Sequence, residues 1–205
     1  NIPHYVSESN TQPGMPKYKD LNGDGIIDTN DRTMIGRGLP IHTGGFTNNF
    51  EYKGFDLSVF FQWSYGNDVL NANRLFFDSG FQKKRELNQY ASYTDRWTPE
   101  NPNSNIPAAT NSSSNLVISS RVVEDASFLR LKTVTLGYTV PKTFLKKYKI
   151  DNARLYVAAQ NLWTITGYSG YDPEVSIRSG GLTPGLDFSS YPRALSVSFG
   201  INLGF

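Results

Sequence analysis

Apolar and polar residues alternate along five stretches of the chain. The most regular stretch is 55–65, where every second residue from Phe55 to Tyr65 is apolar and most of the others are polar. Successive side chains of a strand point to opposite faces, so this period of two indicates a sheet whose faces meet different surroundings. The pattern predicts an all-β chain with about five long antiparallel strands. They are expected within 41–52, 55–65, 128–140, 154–163 and 194–205.

The connections between these strands differ in length. Lys53-Gly54 and residues 141–152 are short, whereas two others are long and rich in Gly, Pro, Asn and Ser. Short turns on one side and long loops on the other are typical of bacterial outer-membrane barrels. One short helix is expected near residues 83–90. The chain thus divides into a loop at 1–40, a hairpin at 41–66, a loop at 67–124, a hairpin at 126–164, a loop at 165–192 and a terminal strand at 193–205.

Within the third strand the apolar parity changes. Leu129 and Leu131 fall on odd positions, while Val134, Leu136 and Tyr138 fall on even ones. A β-bulge, which adds one residue to one strand of a pair, produces such a change. The sequence predicts either a bulge here or a strand end that lies above the apolar band.

Strand length and aromatic placement indicate what surrounds the apolar face. Stretches of about 10–13 residues suit a tilted membrane strand better than the roughly five or six residues usual in soluble sheets. Tyr52 and Phe55 stand at strand ends on the short-turn side, and Trp63 and Tyr65 at ends on the long-loop side. Two such aromatic girdles are a property of outer-membrane barrels. About five strands cannot close a barrel, so further strands must complete it.

Composition agrees with a membrane β protein and excludes other classes. Aromatic residues make up 14% of the 205 residues and charged residues only 19%, below the roughly 25% usual in soluble domains. The net charge of +2 is spread along the chain and gives no electrostatic footprint for nucleic acid. There is no Cys, which removes disulfides and thiolate metal sites. No apolar run reaches the roughly 18 residues of a membrane helix.

A soluble protein of another class is the alternative. A secreted, calcium-stabilised β-sandwich that binds carbohydrate through exposed aromatic residues would show the same alternation. The apolar face of residues 55–65 separates the two interpretations. A barrel turns this face to lipid, whereas a sandwich buries it against a second sheet.

An Asp-rich loop has the ligand spacing of a calcium site. Oxygen-bearing side chains occupy loop positions one, three, five, nine and twelve, Gly25 stands at six, and the residue at seven can offer its backbone carbonyl. Position twelve is Asp instead of the Glu of an EF-hand, and Pro16 argues against a flanking helix, so the loop looks more like those of dockerins. The alternative is a metal-free loop held by Asx turns. The predicted ligands are Asp20, Asn22, Asp24, Ile26, Asp28 and Asp31.

Several short blocks carry a family resemblance. They are 17–25 (KYKDLNGDG), 31–33, 35–36, 52–58 (YKGFDLS), 96–102 (RWTPENP), 127–132 (SFLRLK), 136–141 (LGYTVP), 160–162 and 168–174 (YSGYDPE). Each block is weak alone, but their order and spacing are specific and cover nearly the whole chain. Together they resemble the C-terminal part of the SusC/RagA family of TonB-dependent outer-membrane transporters.

This resemblance implies a transmembrane β-barrel of about 22 strands, of which this chain supplies about the last five, and an N-terminal plug absent from this sequence. It implies import of glycans or peptides with a SusD-like surface lipoprotein, energised by the TonB complex through a segment outside this sequence. It also implies an outer-membrane location, with the C-terminus on the periplasmic side and the Asp-rich loop and both long loops outside. Substrate identity and substrate-binding residues stay unknown.

The residues predict no catalytic chemistry. His4 and His42 lie in Pro-rich or Gly-rich context, with no spacing for a catalytic triad or a zinc site. Asp172 and Glu174 could be nominated as a glycosidase pair, but they stand in a turn-forming context and nothing supports a raised pKa. The chain is therefore predicted not to be an enzyme and to use no organic cofactor.

The polar parity of the strands would face the barrel lumen. Asp56, Gln62, Arg154 and Gln160 are the lumen candidates, and they are expected to pack against the plug or line water more than to contact substrate. Residues 90–97 and 168–171 are expected to meet the lipoprotein.

Overall fold

The computed structural model describes residues 4–5, 12–80, 88–111, 116–177 and 184–205. Its strands are β1 (His4–Tyr5), β2 (Ile26–Ile27), β3 (His42–Tyr52), β4 (Phe55–Tyr65), β5 (Asp68–Asn71), β6 (Val123–Asp125), β7 (Phe128–Thr139), β8 (Asn152–Thr166), β9 (Leu186–Asp187) and β10 (Ser196–Gly204). The α-helices are α1 (Ala72–Phe77) and α2 (Lys142–Leu145), and 3₁₀ helices lie at Thr29–Asp31, Ala91–Asp95, Ser120–Val122 and Lys146–Tyr148. Among the described residues, no helix has the length and apolar character needed to cross a membrane.

Five long strands form one antiparallel sheet in the order β10-β8-β7-β4-β3. They fall where the alternation predicts them, although β8 continues to Thr166, beyond the expected end. Between β3 and β4, Lys53 and Gly54 both have positive φ, 47° and 86°, as the favoured two-residue hairpin turn requires. Most of the helix predicted near 83–90 lies outside the described residues, and residues 88–90 are not helical.

One face of this sheet is polar and the other is apolar. Residues paired across strands share a face, and Asp56 pairs with Gly137, which pairs with Tyr156 on the other side. Every second residue from Asp56 to Ser64 continues this polar face along β4. The apolar face carries Phe46, Phe50, Leu57, Val59, Phe61, Trp63, Val134, Leu136, Leu155, Val157, Phe199 and Ile201.

A β-bulge lies in the middle of β7. The register between β4 and β7 skips Lys132, and Asn161 in the facing part of β8 has a positive φ of 53°. The extra residue brings Leu129 and Leu131 onto the apolar face. The predicted bulge is confirmed, and it explains the change of parity in the sequence.

The large side chains of the apolar face are exposed on the edge strands and half-buried along β4. Phe199 is 82% exposed, Ile201 64% and Phe50 59%. A sandwich would bury these side chains against a second sheet. A contiguous exposed apolar surface of this kind marks contact with another protein or with lipid, so the structure favours the membrane interpretation over the sandwich.

The segments predicted as long loops gather into a separate compact unit. This loop unit comprises the described parts of Asn1–Gly36, Val69–Glu124 and Ser176–Ser190. The other unit comprises Arg37–Asp68, Asp125–Val175 and Tyr191–Phe205, so it holds the large sheet together with both ends of the long connection between β8 and β10. The core of the loop unit includes Val69, Ala72, Leu75 and Val122, all buried. The strands β6, β5 and β9 form a small sheet in that order. The loops therefore have a core of their own.

Candidate functional site

The Asp-rich loop is folded around its own carboxylates. Both oxygens of Asp20 accept hydrogen bonds, from the backbone N–H groups of Gly23 at 2.6 Å and Gly25 at 2.9 Å. Asp31 accepts from the N–H groups of Leu21 at 2.7 Å and Asp28 at 2.8 Å. Hydrogen bonds from Asp28 and then Leu21 lower the pKa of Asp31 below its ordinary value of 3.8, because they favour the charged carboxylate.

The remaining predicted ligands form local turns in the same loop. Asn22 accepts from the N–H of Asp24, and Asp24 accepts from the N–H of Ile26. Asp28 caps the 3₁₀ helix that follows by accepting from the N–H of Asn30. Among the described residues, no three or more His, Cys, Asp or Glu side chains converge to hold a metal ion. The loop is thus held by Asx turns and hydrogen bonds to its own carboxylates.

An ion pair crosses the polar face between strands that are not neighbours. Arg154 on β8 donates to both oxygens of Asp56 on β4, at 3.0 Å from Nε and 2.5 Å from Nη2. β7 lies between them, and at Gly137 a Cβ atom would collide with both side chains. The Arg154 guanidinium also lies 5.3 Å from the centre of the Tyr156 ring. Two of the predicted lumen residues are therefore brought together.

A second, buried cluster of charges lies at the other end of the polar face. Arg130 on β7 is only 2% exposed and contacts Asp172 at 2.5 Å and Glu174 at 2.9 Å. Lys132 at 3.4 Å and Arg193 at 3.3 Å also pair with Glu174. We call these five residues the Arg130 cluster. It joins β7 to the long connection between β8 and β10.

The predicted lumen residue Gln62 reaches the same cluster. Its side-chain amide donates to the Glu174 carboxylate at 3.5 Å, and on the sheet it pairs directly with Arg130. Gln160 lies on the polar face farther along the sheet, opposite Thr133 and Ser196. The four lumen candidates thus share one face, where Asp56 and Arg154 pair with each other, Gln62 reaches the Arg130 cluster, and Gln160 lies apart from both groups.

The electrostatics of Asp172 argue against acid–base catalysis. Burial pushes its pKa up, but hydrogen bonds from the Arg130 guanidinium and from the N–H groups of Glu174 and Arg193 outweigh this, so the pKa lies below 3.8. A general acid at neutral pH needs a raised pKa instead. Asp172 and Glu174 instead hold a loop in place through their contacts with Arg130.

Sequence reasoning missed the basic half of the Arg130 cluster. Arg130 and Lys132 lie in a resembling block, and Arg193 lies at the start of the predicted terminal strand. No pattern in the sequence links residues that are 42 positions apart, as Arg130 and Asp172 are. A weak signal existed, because a buried strand rarely carries a charge without a partner. Arg130 on a strand and two carboxylates in a following loop form such a partnership.

The loop unit contains its own buried carboxylate. Asp78 is 1% exposed, lies 3.6 Å from Arg74 and accepts from the Ser92 hydroxyl at 3.2 Å. Burial raises its pKa above the ordinary value of 3.8, even though Arg74 opposes the shift. Ser92 belongs to the segment expected to meet the lipoprotein, so Asp78 fixes part of that segment from inside.

Several known proteins are similar to this chain in sequence or in fold. A scan against protein-family models found no match. TonB-dependent receptor P3 of Formosa agariphila is 38% identical over 200 residues, which cover 95% of this chain and 19% of that protein. TonB-dependent receptor SusC of Bacteroides thetaiotaomicron is 28% identical over 201 residues, or 98% of this chain and 18% of that protein. The solved structure of the RagAB peptide importer in the 'closed-closed' state matches 93% of this chain and 20% of that chain, with 28% identity and a TM-score of 0.75.

These relatives are receptors and importers rather than enzymes. The predicted resemblance is confirmed, because homologues at 34–38% identity over nearly the whole chain are TonB-dependent receptors. The similar proteins also include SusC and the RagAB importer, and the match to the importer confirms the all-β fold. The chain spans about one fifth of the length of the curated relatives it matches, and its described strands form an open sheet.

Proposed function

We propose that this chain is the C-terminal wall segment of an outer-membrane transporter that imports glycans or peptides. The single observation that carries the proposal is a sheet of long strands with an exposed apolar face, in a chain homologous to TonB-dependent receptors. In an outer-membrane barrel such an apolar face is in contact with lipid. The edge strands β3 and β10 would pair with further strands, because unpaired backbone groups in hydrocarbon cost several kcal/mol each.

The rest of the receptor would supply the other parts of the transport cycle. A plug would fill the barrel of about 22 strands, a SusD-like lipoprotein would deliver the glycan or peptide, and the TonB complex would energise import. Support comes from the relatives, which include SusC and the RagAB peptide importer. Within this chain, the polar face would line the lumen.

The lengths of the connections support one orientation. In barrels of this class the short turns are periplasmic and the long loops extracellular. The C-terminus and the α2 connection would then lie on the periplasmic side, and the loop unit outside. This arrangement would make residues 90–97 available to the lipoprotein.

Calcium is proposed as a ligand of the Asp-rich loop. The residues fit in kind, because Ca²⁺ prefers oxygen donors. The loop offers a backbone carbonyl from Ile26 and side-chain oxygen atoms from Asp20, Asn22, Asp24, Asp28 and Asp31. The loop also fits in shape, since Gly25 has the positive φ of 85° that a sharp turn requires. Carboxylate oxygens that accept one N–H keep a further lone pair for a cation. A bound ion would attract the carboxylates of the loop and would stabilise the loop beyond its hydrogen bonds.

Two neighbouring substitutions on β10 test the membrane assignment in the full-length receptor. Phe199→Arg places a charge on the apolar face, where lipid contact would cost about 2–4 kcal/mol, whereas Ser198→Arg places it on the polar face. We expect Phe199→Arg to reduce the folded, heat-modifiable receptor in outer-membrane fractions and Ser198→Arg to leave more of it. Equal effects of the two variants would argue against a lipid-facing sheet.

The transport assignment needs a separate measurement. Uptake of fluorescently labelled protein and polysaccharide digests is compared between cells with the receptor, without it, and without TonB. We expect one digest to enter only when both receptor and TonB are present. Uptake that does not depend on either would overturn the proposed transport function.

A further inference from the structure

The connection between β8 and β10 folds back onto the polar face. Asp172 and Glu174 contact Arg130, and Glu174 also contacts Gln62. Arg130 and Gln62 pair across β7 and β4 and lie on the same face as Asp56. Residues 172–174 therefore cover part of the polar side of the sheet near its long-loop end.

The attachment of this segment is strong for a loop. Asp172 uses one oxygen for Arg130 and for the N–H of Glu174, and the other for the N–H of Arg193 at 3.1 Å. Its partner Arg130 is buried, which shields the pair from competing water. Asp172 thus ties the backbones of Glu174 and Arg193 to one carboxylate, which holds residues 172–174 in place.

The segment is also compact within itself. We name residues 168–175 the ledge. The Tyr168 side chain is buried, and its ring lies so close to Gly170 that a Cβ atom there would collide with it. The neighbouring Tyr171 is instead 78% exposed. A fixed backbone thus presents one large, exposed side chain.

We propose that the ledge narrows the outer end of the ligand path and that Tyr171 is a ligand-contacting residue there. This inference rests on the proposed function, in which the polar face lines the lumen. A loop on that face projects into the lumen instead of outward into the medium. Arg130 acts as the positioning residue, since it holds the ledge without being exposed to the ligand.

Accessibility of introduced thiols tests this placement in the full-length receptor in intact cells. The 205 residues contain no Cys, so Tyr171→Cys is the only thiol in this part of the protein. Two membrane-impermeant reagents are compared, a small maleimide and a long polyethylene-glycol maleimide. We expect the small reagent to label Tyr171→Cys and the long one to label it poorly. Adding Asp172→Asn or Arg130→Gln should raise labelling by the long reagent, because each removes one partner of the buried pair.

Control variants separate this inference from the proposed function. Arg154→Gln breaks the other ion pair of the polar face and should leave labelling by the long reagent low. Phe144→Cys, on the exposed surface of α2, should be labelled only after lysis if the short connections are periplasmic. Labelling of Phe144→Cys in intact cells would overturn the orientation.

Three results would overturn the proposed position of the ledge in the lumen without affecting the proposed orientation of the receptor in the membrane. They are equal labelling of Tyr171→Cys by both reagents, no labelling by the small reagent, and labelling by the long reagent that neither Asp172→Asn nor Arg130→Gln increases. A ligand-contacting role further predicts that Tyr171→Ala changes the KM for uptake of the transported digest while receptor abundance stays constant. An unchanged KM would refute the contact.

Discussion

Removing Arg130 should release the ledge from the sheet. Arg130→Gln leaves Asp172 and Glu174 beside a strand without their buried guanidinium. Breaking a buried ion pair by removing one partner costs about 3–5 kcal/mol. Glu174 keeps Lys132 and Arg193, and Asp172 keeps two backbone N–H donors. The cost should therefore lie near the lower end, at about 3 kcal/mol.

This free energy converts into a measurable opening of the ledge. Because about 1.4 kcal/mol corresponds to a factor of ten, the population of the released ledge should rise on the order of a hundredfold. Hydrogen exchange of the full-length receptor, followed by mass spectrometry of peptides that cover the ledge, reports this population directly. Exchange in β4 should change much less, since its ladder with β3 does not involve Arg130.

A matched control uses the exposed member of the same cluster. Arg193 is also paired with Glu174, but its side chain is 48% exposed, and exposed pairs contribute about 1 kcal/mol or less. Arg193→Gln should therefore accelerate exchange of the ledge by less than roughly tenfold. If Arg130→Gln accelerates exchange no more than Arg193→Gln does, the Arg130 cluster does not hold the ledge.

Three further outcomes can be checked in the full-length receptor. Gly137→Ala should separate Asp56 from Arg154 and lower the unfolding temperature of the folded barrel, with a cost of about 1–3 kcal/mol for overpacking. Gly167→Ala is the control, because a Cβ atom there meets nothing within 4 Å. Equal shifts of the unfolding temperature in the two variants would contradict the reasoning. Chelation of calcium should increase protease cleavage within residues 17–35, and unchanged cleavage would argue against a bound ion. The pKa of Asp172 is lowered, so its stabilising contribution is present above pH 3.8 and is lost as the pH falls through the lowered value. Protection of the ledge, measured as its exchange rate relative to that of an unprotected amide at the same pH, should fall only in that acidic range. A loss of protection near neutral pH would contradict this.

The strands could be predicted because alternation depends only on neighbouring residues. Phe55 to Tyr65 alternate in sequence as they do on β4, and the parity change before Val134 is enough to predict a bulge. The two-residue turn at Lys53-Gly54 follows from local backbone preferences. Each of these features is determined within about a dozen residues, the length of one strand.

The clusters could not be predicted, because they depend on how distant segments meet. Asp56 and Arg154 are 98 positions apart, and Arg130 and Asp172 are 42 apart. The sequence gives the face of each strand residue, but not which loop folds over that face. The core of the loop unit was missed for the same reason, since Val69 and Val122 lie in segments without periodicity.

The ion pair over Gly137 bears on how the sheet is assembled. Asp56 and Arg154 can meet only when β4, β7 and β8 are all paired in one register, because the pair spans the middle strand. A slip of a single residue would turn one of the charges toward the apolar face, where contact with lipid costs about 2–4 kcal/mol for a cation. The pair therefore stabilises the correct register of the three strands relative to shifted registers, and it does so before any ligand is present.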